Sequence, residues 1–251
     1  MQQVTALILA AGEGKRMKSK KAKTLHRVCG KAMIEWVYEA ARNAGIEKCV
    51  AIVGHKAEQV IKYMGNRVEY IFQQQRLGTG HAVQQASRYY NDGDGYILVL
   101  YGDTPLISAN TIKSAIEYMA CGDYKAVVIT AVMKDAFGYG RIVRDKDGNL
   151  VRIVEQRDAS EAEKAIKEIN SGMYVFSARE LAETIKLLRN DNDQGEYYLT
   201  DVVEIMISKG YRVGTYKAED SSEVLGVNDP AQLRRVSAVL KKRKIMENAS
   251  L

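Results

Sequence analysis

Near the start of the chain an apolar run, residues 4–10, gives way to Ala11-Gly12-Glu13-Gly14-Lys15-Arg16-Met17. Two glycines let the backbone approach an anion closely, and Lys15 and Arg16 bring charge and fixed donors, so this turn can fold around phosphates. It is not a Walker A loop, because Arg16 stands where Ser or Thr must follow Gly-Lys. Nor does it complete the dinucleotide fingerprint. Met17 replaces the third glycine, and the acid wanted about 20 residues on, at a strand end, is Glu35 inside a helical pattern. NAD binding is thereby disfavoured. Read alone, the turn is a nucleotide site or an ordinary strand-to-helix turn with solvated lysines.

Other polar residues stand where apolar runs end, which in an open α/β sheet is where ligands bind. Gly54-His55 and Gln73 follow two such runs. Asp103 follows the run 96–100 through Tyr101 and Gly102, and Thr104-Pro105 then turns the chain away. Mg²⁺ takes one or two carboxylates plus substrate phosphates, a role that suits Asp103, although a turn or helix-capping Asp reads the same way. Asp92-Gly93-Asp94 has the Asp-x-Asp spacing of a metal motif but precedes its strand and so lies at the wrong edge.

The elements that must position these residues are legible as alternating patterns. Strand-like runs at 4–10, 49–53, 68–72, 96–100 and 126–132 alternate with helical ones at 32–44, 57–64, 80–90 and, from a Ser108 cap, to 121. The second half reads as a hairpin (141–143 and 150–154 about Asp145-Lys146-Asp147-Gly148), a helix at 160–168 and a strand at 172–176. A helix capped by Ser177, a helix at 199–208, a strand at 211–216 and an amphipathic helix from Pro230 follow, the last with Leu233, Val236, Val239 and Leu240 on one face. The prediction is an α/β fold: a Rossmann-like mixed, mostly parallel sheet flanked by helices.

Composition fits that fold. The 251 residues are 46% hydrophobic and 27% charged, which excludes disorder and fibres, and two prolines leave no stiff linker. No apolar run approaches the roughly 20 residues of a membrane span, and the N-terminus lacks the order of a leader, so a cytoplasmic location without membrane contact is expected. Cys29, Cys49 and Cys121 form no Cys-x-x-Cys pair and are expected as buried thiols. Net charge is +6, and the eight basic residues between Glu13 and Glu35 (Lys15, Arg16, Lys18, Lys20, Lys21, Lys23, Arg27, Lys31) meet no acid. A polyphosphate ligand explains them better than nucleic acid, since no zinc-finger, RRM or KH signature occurs. The second basic cluster, 241–244, reads as a solvated face.

In this order the chain carries Leu9 to Met17, Lys23, Gln73, Leu77-Gly78-Thr79-Gly80-His81-Ala82, Tyr101-Gly102-Asp103, Gly138-Tyr139-Gly140-Arg141, Glu155, Glu168-Ile169-Asn170, Gly195-Glu196-Tyr197-Tyr198 and Gly226-Val227-Asn228. Together they resemble the uridyltransferase domain of bacterial bifunctional N-acetylglucosamine-1-phosphate uridyltransferase/glucosamine-1-phosphate acetyltransferase, across nearly the whole chain. The first motif is shared by many sugar nucleotidyltransferases; the Leu-Gly-Thr-Gly-His-Ala, Gly-Glu-Tyr-Tyr and Gly-Val-Asn set is far more specific.

The resemblance implies a nucleotide-diphospho-sugar transferase fold with a β-hairpin sugar-binding subregion. Residues 1–229 would form the pyrophosphorylase domain and 230–251 a C-terminal linker helix. Leu9, Ala10, Ala11, Gly12, Lys23, Tyr101, Gly102 and Asp103 would contact substrate, and Gln73 with Gly78 and Thr79 would take the base. The Gln73 amide offers the acceptor and donors that uracil's ring N–H and carbonyls require. Gly140, Glu155 and Asn170 would hold N-acetylglucosamine, with Glu196, Tyr197 and Thr200 on the same wall. Asp103 and Asn228 would bind Mg²⁺. Without the resemblance, Gln73 is favoured as functional over a surface Gln only by its position after a strand, and Glu155 and Asn170 are ordinary polar strand residues.

The activity so implied joins UTP and N-acetylglucosamine 1-phosphate into UDP-N-acetylglucosamine and pyrophosphate, for peptidoglycan and cell-envelope precursors. A phosphate monoester with a second pKa of about 6 is largely a dianion at neutral pH and attacks without a protein base. His26, His55 and His81 therefore take no catalytic role, and Arg16 and Lys23 would stabilise charge on the α-phosphate and departing pyrophosphate. Two alternatives stand beside it. One is a nucleotidyltransferase for another base or sugar; the other is a non-catalytic nucleotide-sugar-binding subunit, which would be expected to lack Arg16, Lys23, Asp103 and Asn228. The family continues into a β-helix that transfers acetyl groups and forms trimers. No hexapeptide periodicity is present, so acetyl transfer is not expected of these residues, and a trimer is expected only with that domain.

Overall fold

A computed structural model describes residues 2–249. In chain order its strands are β1 (Val4–Ala10), β2 (Arg27–Val28), β3 (Lys31–Ala32), β4 (Lys48–Val53), β5 (Glu69–Phe72), β6 (Tyr96–Tyr101), β7 (Ala126–Val132), β8 (Gly140–Arg144), β9 (Leu150–Val154), β10 (Glu168–Ser177) and β11 (Val213–Lys217). Its helices are α1 (Met33–Asn43), α2 (Ala57–Met64), α3 (Thr79–Gln85), α4 (Ala109–Cys121), α5 (Glu161–Lys164), α6 (Ala178–Thr184), α7 (Thr200–Ser208) and α8 (Pro230–Ala249).

The main sheet runs β11-β7-β10-β6-β1-β4-β5. Strands β6, β1, β4 and β5 are mutually parallel, whereas β10 is antiparallel to both β6 and β7. β1 is apolar but for the buried Thr5 because it is covered on both faces. Ala6 and Ile8 point into one core with Met33 and Ile34 of α1 and Ile112 of α4. Leu7 and Leu9 point into the other with Ala82 and Val83 of α3, Leu181 of α6 and Val202 of α7. This is the period-two alternation of a strand, and truncating Ile8 to Ala would cost about 2–5 kcal/mol.

The β8–β9 hairpin adds to the lower half of β10, pairing Gly140 with Asn170 and Arg141 with Ile169. Its turn is closed by Asp145, whose Oδ1 accepts from the Asp147 and Asn149 amides, while Gly148 takes φ +84°. β10 changes register on β7 between Asn170 and Tyr174. Its first part thus faces the hairpin and its second part pairs with β6.

Several predicted elements shift. The helix expected at 160–168 stops at Lys164. Ser160 and Glu163 do form a reciprocal capping box, but Glu168–Asn170 pairs with β7 instead, and Glu168 accepts from Thr130 and Arg144. The helix expected at 80–90 ends at Gln85 and continues as a short 3₁₀ turn. Ser108 caps α4 as predicted, through the Thr111 amide, whereas Ser177 precedes α6 without a side-chain cap bond. Only Cys49 of the three thiols is buried, and burial pushes it up to about 11; Cys29 and Cys121 are exposed. The basic cluster of α8 is only half solvated. Arg243 bonds the Leu106 carbonyl, Asp220 and Ser222, and the Lys244 ammonium lies 4.6 Å from the Trp36 ring centre, docking the helix.

Candidate active site

Beyond the carboxyl ends of β1, β5 and β6 lies a cavity of about 710 Å³, opening into a second of about 250 Å³. Thr79, Tyr101, Tyr139, Ser171 and Glu196 belong to both walls.

Leu9, Ala10, Ala11 and Gly12 line the larger lobe together with Gln73, Gly78 and Thr79. Gln73 is only 5% exposed; its Nε2 donates to the Gly78 carbonyl at 2.9 Å and lies 3.1 Å from His81 Nδ1. With that end engaged, Oε1 is left as the acceptor at the cavity wall. Burial holds the His81 pKa below its ordinary value. The Gly78 turn is fixed by a segment more than 100 residues away. The Tyr197 amide donates to the Leu77 carbonyl and the Tyr197 carbonyl accepts from Gly80, both at 2.8 Å, while Thr79 Oγ1 accepts from the Leu199 amide. Gly78 is required on two counts. Its φ is +106°, and a Cβ there would stand 2.5 Å from the Tyr197 carbonyl oxygen.

The charged centre of this lobe joins three distant residues. The Lys23 ammonium forms a short ion pair with Asp103 Oδ2 and donates to Asn228 Oδ1 at 2.7 Å. Lys23 starts a 3₁₀ turn whose approach needs Gly14, at φ +66°, where a Cβ would lie 2.8 Å from Lys23 Cβ. The Val227 amide donates to the Asp103 carbonyl, and Asn228 is held by its own amide bond to Gln232 Oε1. Two oxygens thus already converge on one cation, with the ammonium as stand-in. An Asp and an Asn oxygen, completed by phosphate and water, form a hard donor set that fits Mg²⁺. Among the described residues no three His, Cys, Asp or Glu side chains converge on a point, so such an ion would take most of its ligands from substrate and solvent.

The smaller lobe is lined by Gly140, Glu155, Asn170 and Thr200. Gly140 and Asn170 are register partners, and Glu155 follows the last residue of β9, so three strands contribute one row. Asn170 is anchored at both ends: Nδ2 donates to the Tyr174 hydroxyl at 2.7 Å and Oδ1 accepts from the Gly172 amide. Burial pushes the Glu155 carboxyl up, with Asp158 and Asp201 adding to the shift and Thr200 and Arg141 opposing it. Asp201, at the start of α7, is pushed up to about 6, first by burial and then by Glu204, Asp158 and Asp191. Thr200 Oγ1 is buried without a well-formed hydrogen bond, although it lowers both neighbouring carboxyls.

Most predicted site residues are brought to these walls, but not all. Arg16 is exposed and lines neither lobe; Lys15 and Arg76 are the cations at the mouth, the latter with no local sequence signal. Gly102 is buried behind the wall, where a Cβ would stand 3.0 Å from Thr24 Cγ2 and 3.2 Å from the Leu9 carbonyl. Tyr197 acts through its backbone and lines neither lobe, while Tyr198 lines the smaller one. Tyr139 and Ser171 were not singled out, although both lie within or beside quoted motifs. Asp92 and Asp94 precede β6, at the opposite end of the strand from Asp103.

Residues 6–203 match the MobA-like NTP transferase domain family. The chain is 55% identical over 243 residues to the bifunctional protein GlmU of Acetivibrio thermocellus, covering 97% of this chain and 53% of that protein. It is 47% identical over 251 residues to that of Caldanaerobacter subterraneus, covering 99% and 54%. The chain therefore spans about half the length of these curated relatives. A solved Bacillus anthracis chain, described as a glucose-1-phosphate thymidylyltransferase in complex with sucrose, superimposes with a TM-score of 0.75 over 94% of each chain at 18% identity. At that identity the likeness is one of fold.

Proposed function

Because the chain belongs to the MobA-like NTP transferase domain family, we propose that it is a sugar-phosphate uridyltransferase that joins UTP and N-acetylglucosamine 1-phosphate, releasing pyrophosphate. The observation that carries this reading is a two-lobed cleft whose larger lobe holds a ready-made cation position, Asp103 and Asn228 around the Lys23 ammonium. Identity of 55% to a GlmU protein across 97% of the chain supports it.

In the larger lobe the free Gln73 Oε1 accepts the ring N–H of uracil, a group that cytosine lacks at that position. The Ala10–Gly12 backbone lies along the phosphates. Mg²⁺ between Asp103 and Asn228 would neutralise phosphate charge and fix the α-phosphorus for in-line attack. Lys23, whose ammonium reaches the same two side chains, would also neutralise phosphate charge in this lobe. Lys15 and Arg76 line the mouth of this lobe and would meet the departing pyrophosphate, whereas Arg16, exposed beside Lys15, lines neither lobe. In the smaller lobe Glu155 accepts from sugar hydroxyls, Asn170 offers its second amide hydrogen, and Gly140 leaves room for the ring.

Positioning would supply most of the acceleration, because the sugar phosphate is already a dianion at neutral pH and no histidine is among the residues lining either lobe. The test is pyrophosphate release with UTP and N-acetylglucosamine 1-phosphate, with and without Mg²⁺. Preference for dTTP or glucose 1-phosphate would overturn the assignment of base or sugar, and magnesium-independent turnover would overturn the cation position.

A further inference from the structure

Arg141 is only 2% exposed, lines neither lobe, and bonds no carboxylate. Its guanidinium donates to the Tyr139 carbonyl in a short contact, to Gln156 Oε1 at 2.8 Å and to the Lys164 carbonyl at 3.5 Å, and its Nε is buried without a partner. A buried cation bonded only to neutral acceptors is a poor stabilising device; an apolar residue of similar size would serve the fold as well or better. The location is informative. Arg141 pairs with Val154 on one side and Ile169 on the other, so it sits one residue from each of Gly140, Glu155 and Asn170. The chain segments it ties together are the loop before β8, the exit of β9 and the end of α5. Gln156 Oε1, its main acceptor, also takes the Gly138 amide at 3.0 Å.

We propose that Arg141 is a positioning residue for the sugar lobe, clamping the Gly138–Gly140 turn to the Glu155–Gln156 strand exit so that the three-strand row keeps one spacing. The inference rests on the reading that the smaller lobe takes the sugar. The charged and titratable groups around Glu155 are Asp158 on its own loop, Asp201 of α7, Arg141 of β8, and the Tyr101, Tyr174 and Tyr198 phenols. Arg141 is the only cation among these neighbours, so its removal leaves the carboxyl facing acids and phenols alone.

Arg141→Met is expected to raise the KM for N-acetylglucosamine 1-phosphate about tenfold or more, with kcat and the KM for UTP within about twofold of wild type. It should also move the acid limb of kcat/KM for the sugar phosphate to higher pH. Arg141→Lys should keep the limb in place while recovering only part of the KM. Gln156→Ala, at a half-exposed position, should raise the same KM more mildly without moving the limb, and covers the case in which Arg141→Met does not fold. An unchanged sugar KM in both Arg141→Met and Gln156→Ala overturns the proposal. Equal losses for both substrates with no movement of the limb also overturn it, as they mark a merely structural arginine. Hydrogen exchange on the ligand-free protein separates this from the reading of function. Residues 136–142 and 155–158 should exchange faster in Arg141→Met while β1 and β4 do not. Unchanged exchange sinks the clamp even if the enzyme proves active, and absence of any sugar-phosphate turnover by the wild type sinks the assigned function, not the clamp.

Discussion

The two lobes of the cleft meet at Tyr101 and Tyr139 but are balanced in opposite ways. In the larger lobe the charges are neutralised before any ligand arrives, with Lys23 between Asp103 and Asn228 and Gln73 bound at its amide end. In the smaller lobe Glu155 is pushed toward protonation, as is Asp201 close behind it, and Thr200 has no well-formed bond. A lobe for a polyanion with its metal can hold a compensated cation and exchange it. A lobe for a neutral polyol instead keeps acceptors under-satisfied, because the sugar hydroxyls complete them.

Disrupting the compensated lobe should have the largest effect. Asp103→Ala removes the only anionic ligand and leaves the Lys23 ammonium with Asn228 alone, so kcat should fall by about 10²- to 10³-fold and lose its response to Mg²⁺. Pyrophosphate release across a magnesium titration reads this directly, and retained turnover would show that the lobe does not depend on this balance. Glu155→Gln probes the under-satisfied lobe at nearly constant volume. The KM for the sugar phosphate should rise about 10- to 100-fold, the worth of a charged hydrogen bond, with the KM for UTP unmoved. If both KM values rise together, the lobes are not separate. Gln73→Leu should cost about tenfold in the KM for UTP and relax the preference for UTP over CTP, leaving the sugar KM in place; steady-state kinetics with both nucleotides reports it.

The contrast also explains what was legible in the sequence. The larger lobe follows the ends of buried parallel strands, so the apolar runs at β1 and β6 pointed to Gly12 and Asp103 without further help. Asn228 had no such signal. It joins Asp103 only because the Val227 amide reaches the Asp103 carbonyl across 124 positions, and it entered the reading through the Gly-Val-Asn motif alone. The smaller lobe is built by an antiparallel hairpin on a strand with a register shift, and its row of Gly140, Asn170 and Glu155 is set by pairing between strands rather than by periodicity within one. That is also why the helix expected to reach residue 168 ends at Lys164: local pattern continued it, and pairing with β7 claimed the residues. Lys15 and Arg16 carry the same signal in the sequence, yet of the two Lys15 alone lines the lobe, because charge density does not say which way an exposed side chain of a turn faces, and Arg76, which does line the lobe, stands isolated in the sequence.

The smallest expected effect lies at Asp201, next to Thr200 of the smaller lobe, and it separates electrostatic strain behind that lobe from chemistry within it. Its carboxyl titrates at about 6 in the folded protein, above the ordinary 3.8, because burial and three acids disfavour the anion. A raised folded pKa means that the folded state binds the proton more tightly than the unfolded chain. The stability this confers is fully present below pH 3.8 and is lost as pH rises through about 6, so at neutral pH the ionised group is a liability. Asp201→Asn removes that liability and, against it, loses the favourable interaction of an anion in the first turn of α7, worth about 0.3–1 kcal/mol. The net gain should be about 1 kcal/mol, or roughly 2–4 °C in Tm, at pH 7.5. At pH 4 the gain should vanish. Thermal unfolding at the two pH values checks the sign: a variant equally stabilised at both owes the change to packing, and one destabilised at pH 7.5 shows that Asp201 is held by a favourable partner and that the smaller lobe is as well compensated as the larger.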